Sequence, residues 1–242
     1  MIVEPGRPPG PTAAREATVS VIVPARDAAA YLDECLASVL GQSYPVHEVI
    51  VVDDGSTDAT AAIAARFGAP VRVVGQAPAG ANPARNRGVR ESSGAFVAFL
   101  DADDLWEPTK LEVQVAAFAA DPPPDLVFGM VTQFRSPELA AGEGPALRSG
   151  ASPMVGHHLG AMLVRRETFE GVGWLDETTY SGDFVDWFAR VSDQRLRIVT
   201  VDDVVMRRRL HRRNKGLTEP AGPLEYARAL RKVLDRRRAA TG

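Results

Sequence analysis

Five short apolar runs separated by helical patterns constrain the fold of this chain more than any other feature of its sequence. "VSVIVP" reads as a buried strand, "AAYLDECLASVLGQ" as a helix, "HEVIVVDD" as a second strand and "TDATAAIAARFG" as a helix stopped by Gly68. "VRVVGQ" is a short strand, "NPARNRGVRESSG" a helix with Pro83 near its start, and "AFVAFLDAD" another strand. "PTKLEVQVAAFAAD" is again helical and "DLVFGMVTQF" again extended. This alternation predicts an α/β layer, Rossmann-like, with a mostly parallel sheet and helices on both faces. The near-continuous apolar character of the strands fits burial from both sides.

The pattern changes after about residue 132. "RSPELAAGEGPALRSGASPMVG" is rich in Gly, Pro and Ser and reads as a long loop or flap. "HHLGAMLVRRETFEGVGWLDET" predicts a strand and a short helix, "DFVDWFARVSDQ" a helix, "LRIVTVDDVVMRRRLH" one or two strands, and "PAGPLEYARALRKVLDRRR" a terminal helix. Residues 1–17, without apolar periodicity, read as a mobile arm. The divisions are therefore 18–132, then 133–215 with a flexible loop at 133–156 and a basic loop at 206–216, then a C-terminal helix at 217–242.

Charge is unevenly placed. The net charge is −3, yet residues 206–242 hold twelve Lys or Arg against three Asp or Glu, so the remainder carries −12. Such a tail reads as an anion-binding surface, for a diphosphate, an acidic acceptor, a membrane surface or nucleic acid. The outermost run, Arg236 to Arg238, reads as a solvated helix face. Cys35 is the single cysteine, so no intrachain disulfide and no cysteine cluster for zinc can form. The absence of a membrane-length apolar run, and of a signal peptide's apolar core at the start, gives the expectation of a cytoplasmic location.

In open α/β sheets, ligands bind beyond the carboxyl ends of the strands. Three polar clusters fall there: "PARD", "DDGSTD" and "DADD". In "FLDADDLWEP" an apolar strand runs into Asp101, Asp103 and Asp104. Asp104 as a helix cap is one reading. A divalent cation held by hard oxygen ligands is the other.

"VSVIVPARD", "VIVVDDGSTDAT", "NPARNRGVRESSGAFVAFLDADD" and "PTKLE", in that order, resemble family 2 glycosyltransferases of the GT-A fold. The likeness runs from Val19 to Leu111 and continues more weakly to about residue 215. The resemblance implies a nucleotide-sugar-binding half over 18–132 and a smaller acceptor-side half over 133–215. It implies an inverting transfer from a nucleoside diphosphate sugar, with UDP favoured, and Mn²⁺ or Mg²⁺ as cofactor. By the same likeness Pro24, Ala25 and Asp27 line the nucleoside pocket, Asp54 accepts a bond from the base, and Arg85 approaches the base or diphosphate. Asp101 holds the ribose, and Asp103, the second acid of the DXD motif, ligates the metal. His211 matches an Arg-x-His element that ligates the metal or bonds the diphosphate, with Arg208 or Arg209 assisting.

On the acceptor side the family pattern, Glu-Asp-x-Asp-x-x-x-Arg, is altered to "GDFVDWFAR". Phe184 stands where the base is expected. Asp183 either supplies the base by a local shift or caps the helix. Asp186, Trp187 and Arg190 organise the acceptor wall or the packing of that helix. His157 and His158 bond an acceptor or lie on the surface. The acceptor is a small molecule, a glycan, a lipid-linked group or a peptide, and no nucleic-acid partner is expected. Two rival readings are a nucleotidyltransferase, for which "VPARDAAAYL" lacks the glycine-rich loop, and a catalytically silent nucleotide-sugar-binding or scaffold protein, which Phe184 favours.

Overall fold

A computed structural model describes residues 17–139, 152–178, 183–212, 214, 231 and 233–238. The first half follows the predicted rhythm: β1 (Val19–Ala25), α1 (Leu32–Leu40), β2 (Glu48–Asp53), α2 (Thr60–Ala65), β3 (Val71–Gly75), α3 (Ala81–Glu91) and β4 (Phe96–Phe99). Then come β5 (Leu105–Trp106), α4 (Lys110–Ala117), β6 (Leu126–Arg135), β7 (Met154–Val155), a 3₁₀ turn (Leu159–Ala161), β8 (Leu163–Arg165), α5 (Arg166–Val172), α6 (Asp183–Asp193) and β9 (Ile198–Leu210). The described strands form one sheet in the order β3-β2-β1-β4-β8-β6-β9-β5, with β7 paired to β6.

β1 pairs in parallel with both β2 and β4, and β2 with β3. Ala25 lies opposite Asp53, and Asp53 opposite Gly75, so the carboxyl ends of these strands open on one edge. β8 runs antiparallel between β4 and β6, and β9 lies parallel to β6.

Apolar residues fill both faces, as continuous runs require. Val21 and Val23 point into one core with Leu32, Leu36 and Leu111. Ile22 points into the other with Val89, Phe99, Phe169 and Trp187. α3 lies so close to β1 that a Cβ on Gly88 would fall 2.3 Å from Ile22 Cγ2. Glycine there lets the helix dock and fixes where its polar side chains emerge.

Several expectations change. β5 was not foreseen; it pairs antiparallel with β9. The final apolar stretch is one 13-residue strand, so Met206–Leu210 belong to β9 and not to a basic loop. Gln133 to Arg135 and Met154–Val155 are likewise extended, and residues 140–151 of the expected flap lie outside the described residues. The same holds for residues 1–16 of the arm and for most of the C-terminal segment, of which 233–238 are helical. Of the outermost arginines, Arg237 and Arg238 are exposed as expected, whereas Arg236 is half-buried, 2.7 Å from Asp186 on α6; Arg237 reaches Asp193 on the same helix at 2.8 Å. Asp104 caps nothing, since α4 begins at Lys110 after Thr109. Among the described residues no helix is long and apolar enough to cross a membrane.

Candidate functional site

The sheet's carboxyl edge opens into a cavity of about 520 Å³. The end of β1 supplies Pro24, Ala25 and Asp27, and the end of β2 supplies Asp54. α3 adds Arg85, the segment after β4 adds Asp101, Asp103 and Asp104, and the end of β9 brings Arg208 and His211. All ten of these residues were singled out from sequence, and they meet in one place.

Hydrogen bonds between the loops after β1 and β2 lace the rim together. Asp27, in the left-handed region at φ 47°, accepts from the Thr57 backbone N–H at 2.8 Å and the Thr57 hydroxyl at 3.1 Å. Those bonds hold the Asp27 carboxyl below its usual value. The Asp27 backbone N–H donates to Ser56 Oγ. Asp58 accepts from the Thr60 N–H at the start of α2 and from the Ala29 N–H, so "DDGSTD" closes a turn and fastens it to the loop after β1.

Asp54 is buried, and its carboxylate is largely committed within the protein. It accepts from Gln76 Nε2, the Ala79 N–H and the Gly80 N–H, each at 2.8 Å. Asp54 thus shapes the loop that leads into α3.

Three different devices relieve the repulsion within "DADD". Arg85 Nη2 lies 2.6 Å from Asp101 Oδ1. Burial opposes charge on Asp101, but Arg85, His158 and Arg208 outweigh it and hold the carboxyl at about 2. Asp103 Oδ2 lies 2.9 Å from His211 Nε2. Asp104 goes the other way: burial first, then repulsion from Asp103 and Asp101, pushes it well above the usual carboxylate range. It accepts from the Arg209 N–H at 2.8 Å.

Strand alternation separates the two arginines that sequence treated together. Arg208 is exposed to the cavity, whereas Arg209 is buried behind it. Arg209 donates to the Asp103 carbonyl at 2.9 Å and to Glu34 at 2.6 Å, with its guanidinium over the rings of Tyr31 and Phe134. It is a buckle under the acidic segment and does not itself line the cavity.

Tyr31 and Asn214, both lining the cavity, were missed. Tyr31 packs against the His211 ring at 4.6 Å and donates to Glu138. Burial and Glu138 push its phenol up to about 12. Asn214 accepts from the His211 backbone N–H at 2.6 Å and donates to the Arg209 carbonyl. The tyrosine four residues after "PARD" and the Asn closing "HRRN" were the signals available.

Asp186, Trp187, Arg190, His157 and His158 are not among the residues that line this cavity. Trp187 is fully buried and donates to the Gly173 carbonyl at 2.9 Å. Asp186 is paired with Arg190 at 3.1 Å and Arg236 at 2.7 Å. Arg190 also donates to the carbonyls of Val172 and Trp174. These three residues hold α6 to the preceding turn. His157 packs against Phe128 and Phe188, and His158 Nδ1 accepts from the Gly160 N–H. Asp183 is the first residue of α6, and its side chain lies outside the described residues.

A divalent cation fits this donor set. Among the described residues no three His, Cys, Asp or Glu side chains converge on one point. The Asp103–His211 pair does, and a cation that keeps waters and substrate phosphates needs only one or two protein ligands.

A family model described as glycosyl transferase family 2 matches residues 20–150. AglE of Haloferax volcanii, described as a glycosyltransferase, is 31% identical over 206 residues, covering 77% of this chain and 65% of that protein. TuaG of Bacillus subtilis is 43% identical over 101 residues, 40% of each chain, so this chain matches well under half of that relative's length. Among solved structures, residues 1–349 of S. aureus TarS in complex with UDP-GlcNAc give a TM-score of 0.68 at 21% identity, covering 89% of this chain and 65% of that one. The mannosyltransferase PcManGT from Pyrobaculum calidifontis, in complex with GDP-Man and Mn²⁺, gives 0.57 at 24%, covering 81% and 58%. At these identities the structural likeness is one of fold, and the fold is GT-A.

Proposed function

The chain belongs to glycosyl transferase family 2, and on that premise we propose that it moves a sugar from a nucleoside diphosphate sugar, a UDP-sugar by preference, to an acceptor with inversion. The observation that carries this reading is the meeting of Asp101, Asp103, Arg208 and His211 around one cavity at the sheet's carboxyl edge. Carboxylates at the β4 end can accept bonds from hydroxyls and ligate a metal ion, while a cationic side chain at the β9 end can meet a diphosphate.

Asp103 and His211 would hold Mn²⁺ or Mg²⁺, which as a Lewis acid would neutralise charge on the departing diphosphate. Asp101, kept ionised by Arg85, accepts from the ribose hydroxyls. Asp54 fixes the 76–80 loop beside the base and retains acceptor capacity on the oxygen that receives a single bond from Gly80. Arg208 faces the phosphates. The acceptor nucleophile forms a bond to the anomeric carbon as the bond to the diphosphate oxygen breaks, and the electron pair leaves with the diphosphate. If the nucleophile is a hydroxyl, its proton passes to Asp183 at the start of α6. Phe184, packed among Phe128, Trp187 and Phe188, supplies no carboxylate at the family's usual place.

Stabilisation by UDP, GDP and dTDP, each with and without Mn²⁺, tests the donor class, because a ligand that binds the native state raises its melting temperature. The expected result is a UDP shift enlarged by Mn²⁺; no shift with any nucleotide refutes the reading. A second reading, donor binding without transfer, is favoured by Phe184 and by the commitment of Asp186 to two arginines. Steady transfer of the sugar from a UDP-sugar to an acceptor eliminates it.

A further inference from the structure

The geometry points to Asn82 as a positioning residue that ties the nucleotide pocket to the turn ahead of α6, an inference that rests on the donor reading above. Asn82 is buried in α3, one turn from Arg85. Arg85 Nη2 holds Asp101 at 2.6 Å, and its Nη1 donates to Asn82 Oδ1 at 2.9 Å. Asn82 Nδ2 in turn donates to the Asp176 carbonyl at 2.9 Å. The amide's orientation follows from its partners: a guanidinium only donates and a carbonyl only accepts, so Asn82 must offer oxygen to one and nitrogen to the other.

Two rigid planar groups therefore stand in series between the pocket and the backbone of Asp176. The guanidinium's nitrogens move as a unit, and so do the two ends of the Asn82 amide. A ribose that draws on Asp101 shifts the first group, and the second carries that shift to the turn.

The turn is built to pass it on. Asn86, fully buried, donates to the Leu175 carbonyl and to Glu177 Oε1 and accepts from the Leu175 N–H. From the other side, Trp187 and Arg190 of α6 grip the carbonyls of Gly173, Val172 and Trp174. Gly173, at φ 92°, leaves room there that a Cβ would take, 2.9 Å from Arg190 Nη1. α3 and α6 thus hold opposite ends of one short strut, and Asp183 begins the second helix. Asn82 hydrogen-bonds to both the strut and Arg85, whereas the Asn86 side-chain hydrogen bonds go to the strut.

Hydrogen exchange of residues 172–178, with and without UDP and Mn²⁺, tests the assignment beside calorimetric UDP affinity. In the wild type, UDP should slow exchange of the turn by about fivefold or more, the low end of ordinary coupling between sites. Asn82→Ala should abolish that response while UDP affinity stays within about threefold of wild type. Asn86→Ala should speed exchange in both states yet keep the UDP-dependent difference. Asn82→Asp keeps the volume and the Arg85 contact but sets an acceptor against the Asp176 carbonyl; it should behave as Asn82→Ala and replaces it if that variant does not fold. A UDP response that survives both Asn82 variants, or wild-type binding without any response, overturns this inference alone. Failure of the wild type to bind any nucleoside diphosphate overturns the donor reading and this inference with it.

Discussion

His211 Nε2 lies 2.9 Å from Asp103 Oδ2, although 108 residues of chain separate them. β9 makes the meeting possible: it pairs with β5 just after the acidic segment, so its end returns to the mouth of the cavity. Asp103→Ala should therefore reduce Mn²⁺-dependent UDP affinity to its metal-free level, a loss of tenfold or more, about 1.4 kcal/mol. The fold should survive, because one fewer carboxylate relieves repulsion on Asp104, and the carbonyl that Arg209 grips is unchanged. Calorimetric titration with and without Mn²⁺ reads this; undiminished Mn²⁺ dependence in a folded variant assigns the metal elsewhere.

Asp54 supports the loop before α3 as well as the base pocket. Asp54→Ala removes the acceptor for Gln76, Ala79 and Gly80 together and should cost about 2–3 kcal/mol of stability, the range for bonds to a charged group. UDP affinity should fall equally with and without Mn²⁺. Asp54→Asn keeps the oxygen that receives Gln76 and Ala79 but turns an amide NH2 toward the Gly80 N–H, so it should recover only part of the stability. Urea unfolding beside UDP titration separates the two effects, and an Ala variant as stable as the wild type would refute the loop-holding role.

The first half of the fold was legible because β1, β2 and β4 are apolar on both faces, and each ends where polar ligands must converge. β5 escaped notice because two residues, Leu105 and Trp106, carry no periodicity. The end of β9 looked like a loop because three successive arginines rarely mark a strand. Here aromatic faces accommodate two of them, Arg207 over Phe134, and Arg209 over Phe134 and Tyr31. Asn82 and Asn86 were invisible as tethers because their backbone partners lie about 90 residues on, in a turn with no motif of its own. In the acceptor half, Asp186 and Arg190 could be read as acceptor wall or as helix packing, and only the structure shows the ion pairs and backbone carbonyls that engage them.

Lys110 gives a test by pH. Its amine is fully buried, 2.5 Å from Gln114 Oε1, above the Trp106 ring and near the Met162 carbonyl. Burial pushes its pKa well below 10.5. Between that lowered value and 10.5 the unfolded chain binds one more proton than the folded chain, so stability from this group rises with pH. Relative to Lys110→Met, the wild type should gain roughly 1.4 kcal/mol per pH unit within that window. Urea midpoints of the two proteins from about pH 8.5 to 10 check the slope. Parallel curves would mean that the amine is charged in the folded protein.

Arg208 and Arg209 are neighbours in sequence with opposite duties, and paired substitutions should show it. Arg208→Ala removes an exposed cation from the cavity wall and should lower UDP affinity by about tenfold with little change in unfolding midpoint. Arg209→Ala strips the donors from Glu34 and the Asp103 carbonyl and empties the space beside Tyr31 and Phe134. It should cost about 2 kcal/mol or more of stability. Any loss of UDP affinity should then come from displacement of Asp103, so it should be confined to the Mn²⁺-dependent part. Arg208→Ala should instead weaken binding with and without the ion, because a guanidinium meets phosphate whether or not metal is present. Reversal of that pattern in the two titrations would mean that the β9 end is turned over relative to the pocket in the working protein.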